Sequence, residues 1–432
     1  MIKRFLSSQL RINMATGFVT TGLTVLVSVV IYPVYLYYLG YETYGVWIIL
    51  STVISLMQLS DFGIGQAVIK YVAEEHGRNN MAGVRGYMTT AVLALCVAGT
   101  LVLLIVLFFR QPVMRLFNLA SVHEQAALEL LPYMGVLSVY GLVVNTYSAV
   151  LSGLGRFDLS SYGELAGRII ILVISLFMLS IGTGLKGLVI SYAASYIIVH
   201  VFLLYSIGRL SDHEARLAMG GINYSQISKL FRFGSNMMGS SIINMLLTPF
   251  NRLMLSRYAG VATLPIYEIA YNGANYARSL IASFFRAIAP EVSSISAAGD
   301  SNSVSKVRKL YRKAMRMNLV LSTAYFAIGI LLTTQLLRIW LGNNFVETAP
   351  LALRITLVGA FISSLSMPSY FLLMGTGRTR TIFVSNGIQS VVNCAFLGII
   401  FFLTGKISIN IVAFAVMLGM GFAGMFLAGT YT

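Results

Sequence analysis

Long, uninterrupted apolar runs are what most limit the folds open to this chain. A bilayer crossing needs about 20 mostly apolar residues in a helix. Twelve runs meet that length, at about 13–39, 46–72, 87–109, 126–152, 162–182, 187–209, 229–257, 266–290, 313–338, 350–374, 382–404 and 409–429. Inside lipid every backbone N–H and C=O must be paired within the protein, which leaves helices or a closed barrel. The runs are continuous rather than alternating, which argues against the barrel. The expectation is an all-α integral membrane protein of about 12 transmembrane helices. Composition agrees: of 432 residues, 57% are hydrophobic and 10% charged. Soluble domains carry roughly 25% charged residues, so an ordinary cytosolic protein is excluded, and so is a disordered one.

The net charge of +16 would suggest nucleic acid in a soluble protein. Here it reports topology, because Lys and Arg collect in cytoplasmic loops. With the N-terminus inside, 20 basic residues fall on the inner side. Six fall outside: Arg110, Arg115, Lys186, Arg257, Arg338 and Lys406. Both termini are therefore expected in the cytoplasm, with no nucleic-acid partner needed. The largest inner loop, about 291–312, leads into Lys306, Arg308, Lys309, Arg312, Lys313 and Arg316, read as a helix start facing lipid headgroups. Cys96 and Cys394 lie in apolar runs, and the four histidines lack ligand spacing, so no metal site or disulfide framework is expected. No cleaved leader is expected, since the first run is too long for one.

The halves read as repeats. Gly153-Leu154-Gly155-Arg156 matches Gly375-Thr376-Gly377-Arg378, 222 residues on. Met114-Arg115-Leu116-Phe117 matches Leu337-Arg338-Ile339-Trp340, 223 residues on. Pro33 and Pro249 fall at the same depth of the first run of each half and are candidate hinges. Six runs per half make the repeats parallel, two six-helix lobes related by a pseudo-two-fold axis along the membrane normal. The expected division is a basic interfacial segment 1–12, an N-lobe 13–210, a cytoplasmic linker 211–228 and a C-lobe 229–432.

Polar residues inside a span are costly and should face the bundle interior or water. On the eighth run Glu268, Asn272, Asn275, Ser279 and Arg286 share one helical face, with Arg278 beside it. The seventh offers Asn236, Ser240, Asn244 and Asn251, with Arg252 next to them. These stripes read as the lining of a hydrated cavity; the first run (Thr20, Thr24, Ser28, Tyr35) and the eleventh (Asn386, Gln389, Ser390, Asn393) carry weaker ones, for which interhelical hydrogen bonding is the competing reading. Glu164 and Arg168, spaced i,i+4, are expected to pair. Arg252 and Arg354 have no acid at i±3 or i±4. Each is either an anion site, since guanidinium presents a planar fork to phosphate oxygens, or the partner of an acid elsewhere, such as Asp61 or Glu268. Asp61, in Asp61-Phe62-Gly63-Ile64-Gly65, is either a proton or cation carrier or a structural acid, and the glycines there permit close approach or unwinding. Glu129 is a further candidate acid. No nucleophile elbow, phosphate loop or acid/base pair is present, so a non-enzyme without cofactor is expected.

Leu39-Gly40-Tyr41-Glu42-Thr43-Tyr44-Gly45 followed by Leu59-Ser60-Asp61-Phe62-Gly63-Ile64-Gly65 resembles the first hairpin of bacterial polysaccharide flippases. Tyr267-Glu268-Ile269-Ala270-Tyr271 and Ala289-Pro290-Glu291-Val292-Ser293 resemble their second half. These are the O-antigen and capsule repeat-unit translocases of the multidrug/oligosaccharidyl-lipid/polysaccharide exporter superfamily. The resemblance spans essentially the whole chain. It implies a fold like that of the multidrug exporters, a cationic cavity, and transfer of undecaprenyl-pyrophosphate-linked oligosaccharide from the inner to the outer leaflet of the bacterial inner membrane by alternating access. The cavity residues would be Arg252, Arg278, Arg168, Arg354, Arg286, Asn251, Asn272 and Asn275. Asp61, Glu268 and Glu164 would be the candidates for H+ or Na+ coupling. Expected partners are the lipid-linked cargo, membrane lipids, and a polysaccharide polymerase with its assembly proteins. Many members carry Asp-Arg where this chain has Asn251-Arg252, so coupling through that position is not expected. The chain stops right after the twelfth run, either naturally short or without a tail. A cation-coupled multidrug exporter is the alternative within the superfamily; a membrane enzyme of polysaccharide assembly is a more distant one.

Overall fold

The computed structural model describes residues 8–210, 221, 224–238, 242–285, 288, 292, 303–342, 349–376 and 378–430. Every regular element among them is helical. They are α1 (Ser8–Met57), α2 (Ile64–Gly77), α3 (Met81–Phe108), α4 (Arg110–Leu116), α5 (Ser121–Gly153), α6 (Phe157–Ser180), α7 (Gly184–Leu210), α8 (Tyr224–Met238), α9 (Ile242–Tyr258), α10 (Thr263–Phe285), α11 (Ser303–Leu331), α12 (Thr333–Leu341), α13 (Ala349–Leu365), α14 (Met367–Gly375), α15 (Thr379–Thr404) and α16 (Ile409–Gly429). The described parts of the twelve apolar runs fall on these helices, with the seventh divided between α8 and α9. Among the described residues, eight helices are long and apolar enough to cross a membrane, or nine if α13 and α14, bent by 43°, form one span. The remaining runs are the polar ones. The α9 helix has only 17 residues, and α10 carries Glu268, Asn272, Asn275 and Arg278.

The chain divides into two compact units, Met1–Ile242 and Ile243–Thr432. In the first, α2 packs on α5, α3 on α5, α5 on α7 and α6 on α7. In the second, α10 packs on α13, α11 on α13, α13 on α16 and α15 on α16. The same neighbours recur when helices are counted from the start of each half. The sequence landmarks sit at matching places: Met114 and Leu337, both buried, lie in the short helices α4 and α12 that follow the third helix of each half. Small residues set the helix spacing, as in other membrane bundles. A Cβ on Gly359 would lie 2.6 Å from the Met417 backbone, and one on Gly167 would lie 3.2 Å from Ser195 Oγ.

The α1 helix is two helices joined at Gly40, the one residue inside it with non-helical dihedrals (φ 69°, ψ 179°). Pro33 lies within the helix, as Pro249 lies within α9. The second run is broken. A 3-10 turn at Gln58–Asp61 leads to Phe62 and Gly63, with φ of 46° and 71°. There α2 starts afresh, the Gly65 N–H donating to Asp61 Oδ1 at 3.2 Å. The helix α8 packs on α2 and α3. A Cβ on Gly63 would meet Gly234 O at 2.5 Å, and one on Gly234 would meet Phe62 O at 2.4 Å. Thr90 Oγ1 donates to Gln226 Oε1 at 3.2 Å, a second tie between α3 and α8.

Candidate functional site

Two polar clusters stand out, one in each unit. In the second, α9 and α10 place Arg252 beside Glu268, with Nε 2.6 Å from Oε1. The side chains are 15% and 4% exposed. The other carboxylate oxygen accepts from Asn272 Nδ2 at 2.8 Å. Next along the interface Asn251 Nδ2 donates to the Tyr267 hydroxyl at 3.1 Å, and the Tyr267 and Tyr271 rings stack at 5.6 Å. Asn275 Nδ2 donates to its own helix at Tyr271 O. Of the two readings open for Arg252, the ion pair is the one present. A guanidinium already neutralised and hydrogen-bonded at this depth is held by its partner, since separating a buried pair costs several kcal/mol.

Arg278, two turns or more further along α10, differs. Its hydrogen bond goes from Nη1 to Ser363 Oγ at 3.3 Å. Among the described residues no carboxylate lies within 4.0 Å of it. Arg354 on α13 donates to Thr334 Oγ1 at 3.0 Å. Arg286, Ser240 and the side chains of Asn236 and Asn244 lie outside the described residues. In the weaker stripe of the first run Thr20 donates to Thr16 O and Ser28 to Thr24 O of their own helix, while the buried Tyr35 hydroxyl has no hydrogen-bond partner among the described residues.

The first unit holds a cavity of about 430 Å³ walled by α1, α5, α6 and α7. Each wall contributes a helical i, i+4, i+7 stripe or part of one. On α1 these are Ser51 and Ser55, continued by Gln58 in the 3-10 turn that follows; on α6, Glu164 and Arg168; on α7, Tyr192 and Tyr196. From α5 come Ser138, Asn145 and Ser148. The expected Glu164–Arg168 ion pair is not formed: the two are within one helical turn, yet no N–O distance reaches 4.0 Å. Both side chains are exposed to the cavity, and a long Arg held in one rotamer loses more entropy than a solvated pair regains. Glu129 is likewise no interior acid; it is 56% exposed and pairs with Lys186 at 2.7 Å. The sequence reading missed Gln58, Asn145, Tyr192 and Tyr196. The same wheel that singled out α10 would have found them, but their runs carry fewer charges and drew less notice.

Residues 38–350 match the family described as "Polysaccharide biosynthesis protein". The match covers well over half of the chain, which belongs to that family. A candidate O-antigen transporter of Shigella flexneri is 20% identical over 380 residues, covering 85% of this chain and 84% of the relative. Among solved structures, an inward-facing multidrug resistance MATE family transporter of the MOP superfamily superposes with a TM-score of 0.78 at 16% identity, covering 99% of this chain and 95% of the other. The lipid II flippase MurJ in an inward closed conformation superposes with a TM-score of 0.75 at 15% identity, covering 97% and 87%. The fold is that of these transporters, and the chain is a multi-pass membrane protein.

Proposed function

We propose that the protein moves an undecaprenyl-pyrophosphate-linked oligosaccharide from the inner to the outer leaflet of the bacterial cytoplasmic membrane by alternating access, with both termini cytoplasmic. The observation that carries this is Arg278. An ionised side chain within a span is expensive and marks a functional path by default. Arg278 has a serine hydroxyl and no carboxylate partner among the described residues, so its charge is open to an anion. A pyrophosphate offers the oxygens that a guanidinium fork binds. Membership of a polysaccharide biosynthesis family and the relative named for O-antigen transport support a sugar-bearing cargo. Arg168 and Arg354 supply further positive charge, whereas Arg252 stays locked to Glu268.

In this reading the protein is a carrier rather than an enzyme, and the polymerase and assembly proteins take the cargo afterwards. If an H+ or Na+ gradient drives it, Glu268 is already committed to Arg252, which leaves Asp61 and Glu164 as the acids to carry the ion. The test is flipping of a fluorescent lipid-linked oligosaccharide in proteoliposomes. Arg278→Ala should slow it at least about tenfold, the cost of one charge-assisted contact, and Arg278→Lys should recover part of the loss. Undiminished flipping in Arg278→Ala removes the assignment. The alternative, a cation-coupled multidrug exporter, is favoured by one observation, the unpaired Glu164 carboxylate in its cavity. Drug sensitivity of a deletion strain with an unaltered surface polysaccharide would select it.

A further inference from the structure

The cavity of the first unit is not explained by an anion site. Its lining mixes hydroxyl, amide and aromatic side chains with aliphatic ones such as Ile54, Leu137 and Ile171, and carries one carboxylate and one guanidinium. Ser51, Gln58, Asn145, Glu164, Arg168, Tyr192 and Tyr196 all face it, and none has a hydrogen-bond partner among the described residues. Ser138 sharpens the point. It is 1% exposed, lines the cavity, and its Oγ has no partner among the described residues. Buried polar groups are ordinarily paired, so the unpaired Ser138 hydroxyl points to an occupant; the other polar side chains are half-buried or exposed to the cavity and stand ready to bind what enters it. At about 430 Å³ the space falls in the range of roughly 300–1,000 Å³ that small-molecule sites occupy.

The chemistry of the walls selects the occupant. A lipophilic cation would be met by Glu164 but opposed by Arg168 one turn away. An apolar molecule would strand the amides and hydroxyls. A sugar ring suits both kinds of surface. Its hydroxyls donate to a carboxylate or amide oxygen and accept from a guanidinium or amide N–H, while its C–H face lies against an aromatic ring. Tyr192 and Tyr196 supply rings in an edge-on pair with centroids 6.5 Å apart.

We infer that this cavity is a saccharide subsite, taking one pyranose unit of the cargo, with Gln58, Asn145, Glu164 and Arg168 on its hydroxyls and Tyr192 or Tyr196 on its face. The inference rests on the flippase reading for the origin of the sugar, but the cavity can be tested without transport. Trp47 reports on it, since its ring lies 5.4 Å from that of Tyr192. The only other tryptophan is Trp340, so Trp340→Phe leaves a single reporter.

The full chain carrying Trp340→Phe, in lipid nanodiscs, is titrated with glucose, N-acetylglucosamine, glycerol and tetraphenylphosphonium. A saturable change in Trp47 fluorescence is expected with the pyranoses and none with glycerol. Asn145→Ala and Glu164→Gln, each with an unchanged melting temperature, should each weaken it about tenfold. A response to tetraphenylphosphonium and none to the pyranoses overturns the inference. So does a pyranose response unaltered in both variants, or no response to any probe. Proteoliposome flipping separates this failure from that of the wider reading. Flipping without a sugar response sinks the subsite and leaves the flippase. A cavity-dependent sugar response without flipping leaves the subsite and sinks the flippase.

Discussion

The Arg252–Glu268 pair shows how one side chain's meaning depends on its partner. Arg252 lies inside a span with no acid at helical spacing, which alone leaves it either an anion site or the partner of an acid elsewhere. The acid comes from the next helix, 16 residues on, and binds it at 2.6 Å. Glu268 also accepts from Asn272, so removing the carboxylate takes an acceptor from two donors, one of them charged. Glu268→Ala should therefore destabilise the protein by about 3–5 kcal/mol. Arg252→Met combined with Glu268→Leu should restore most of that loss, because no charge is left unpaired. Thermal melting of the purified single and double variants measures the coupling. Additive losses would show that the two side chains do not act as a unit.

Among the elements, the broken second run is the most specific. Asp61 was readable as an ion carrier or a structural acid, and its neighbouring glycines as an unwinding point. The break is there, and Asp61 caps the helix that restarts after it. What could not be read locally is that α8, more than 160 residues away, lays its Gly234 backbone against Gly63. Gly63 is doubly constrained, by the positive φ and by that contact. Gly63→Ala and Gly234→Ala should each cost about 1–3 kcal/mol in stability. Gly208→Ala, on α7 with open space around its Cβ position, should stay within about 0.5 kcal/mol of the parent. Denaturation midpoints in detergent decide this, and equal midpoints for all three variants would mean that the helix contact is not tight.

For the whole molecule, charge asymmetry is what carries the proposed sidedness. Glu129 pairs with Lys186, one of the six basic residues expected outside, and Glu42 pairs with His123. The pairs of Lys70 with Glu74, Glu75 with Arg78, and Arg156 with Asp158 hold basic residues expected inside. The larger share of Lys and Arg expected inside carries the proposal that the second group faces the cytoplasm. Alkaline phosphatase fused after Asn118 should be active, and a fusion at the C-terminus should be inactive. The reverse pattern would invert the orientation.

Hydrophobic run length and Lys/Arg placement are local properties, and they carried the helical membrane fold, the twelve runs and the repeat. They suffice because lipid imposes the same demand on every span, internal hydrogen bonding, whatever its neighbours. The polar stripe of α10 was legible for the same reason, being a single-helix pattern. Which charges cancel was not. Arg252 found its acid on another helix, Glu164 and Arg168 left theirs unmade, and four helices had to pack before Gln58, Asn145, Tyr192 and Tyr196 faced one space. Pairing and cavities are decided by distances between helices, which only the packed chain contains.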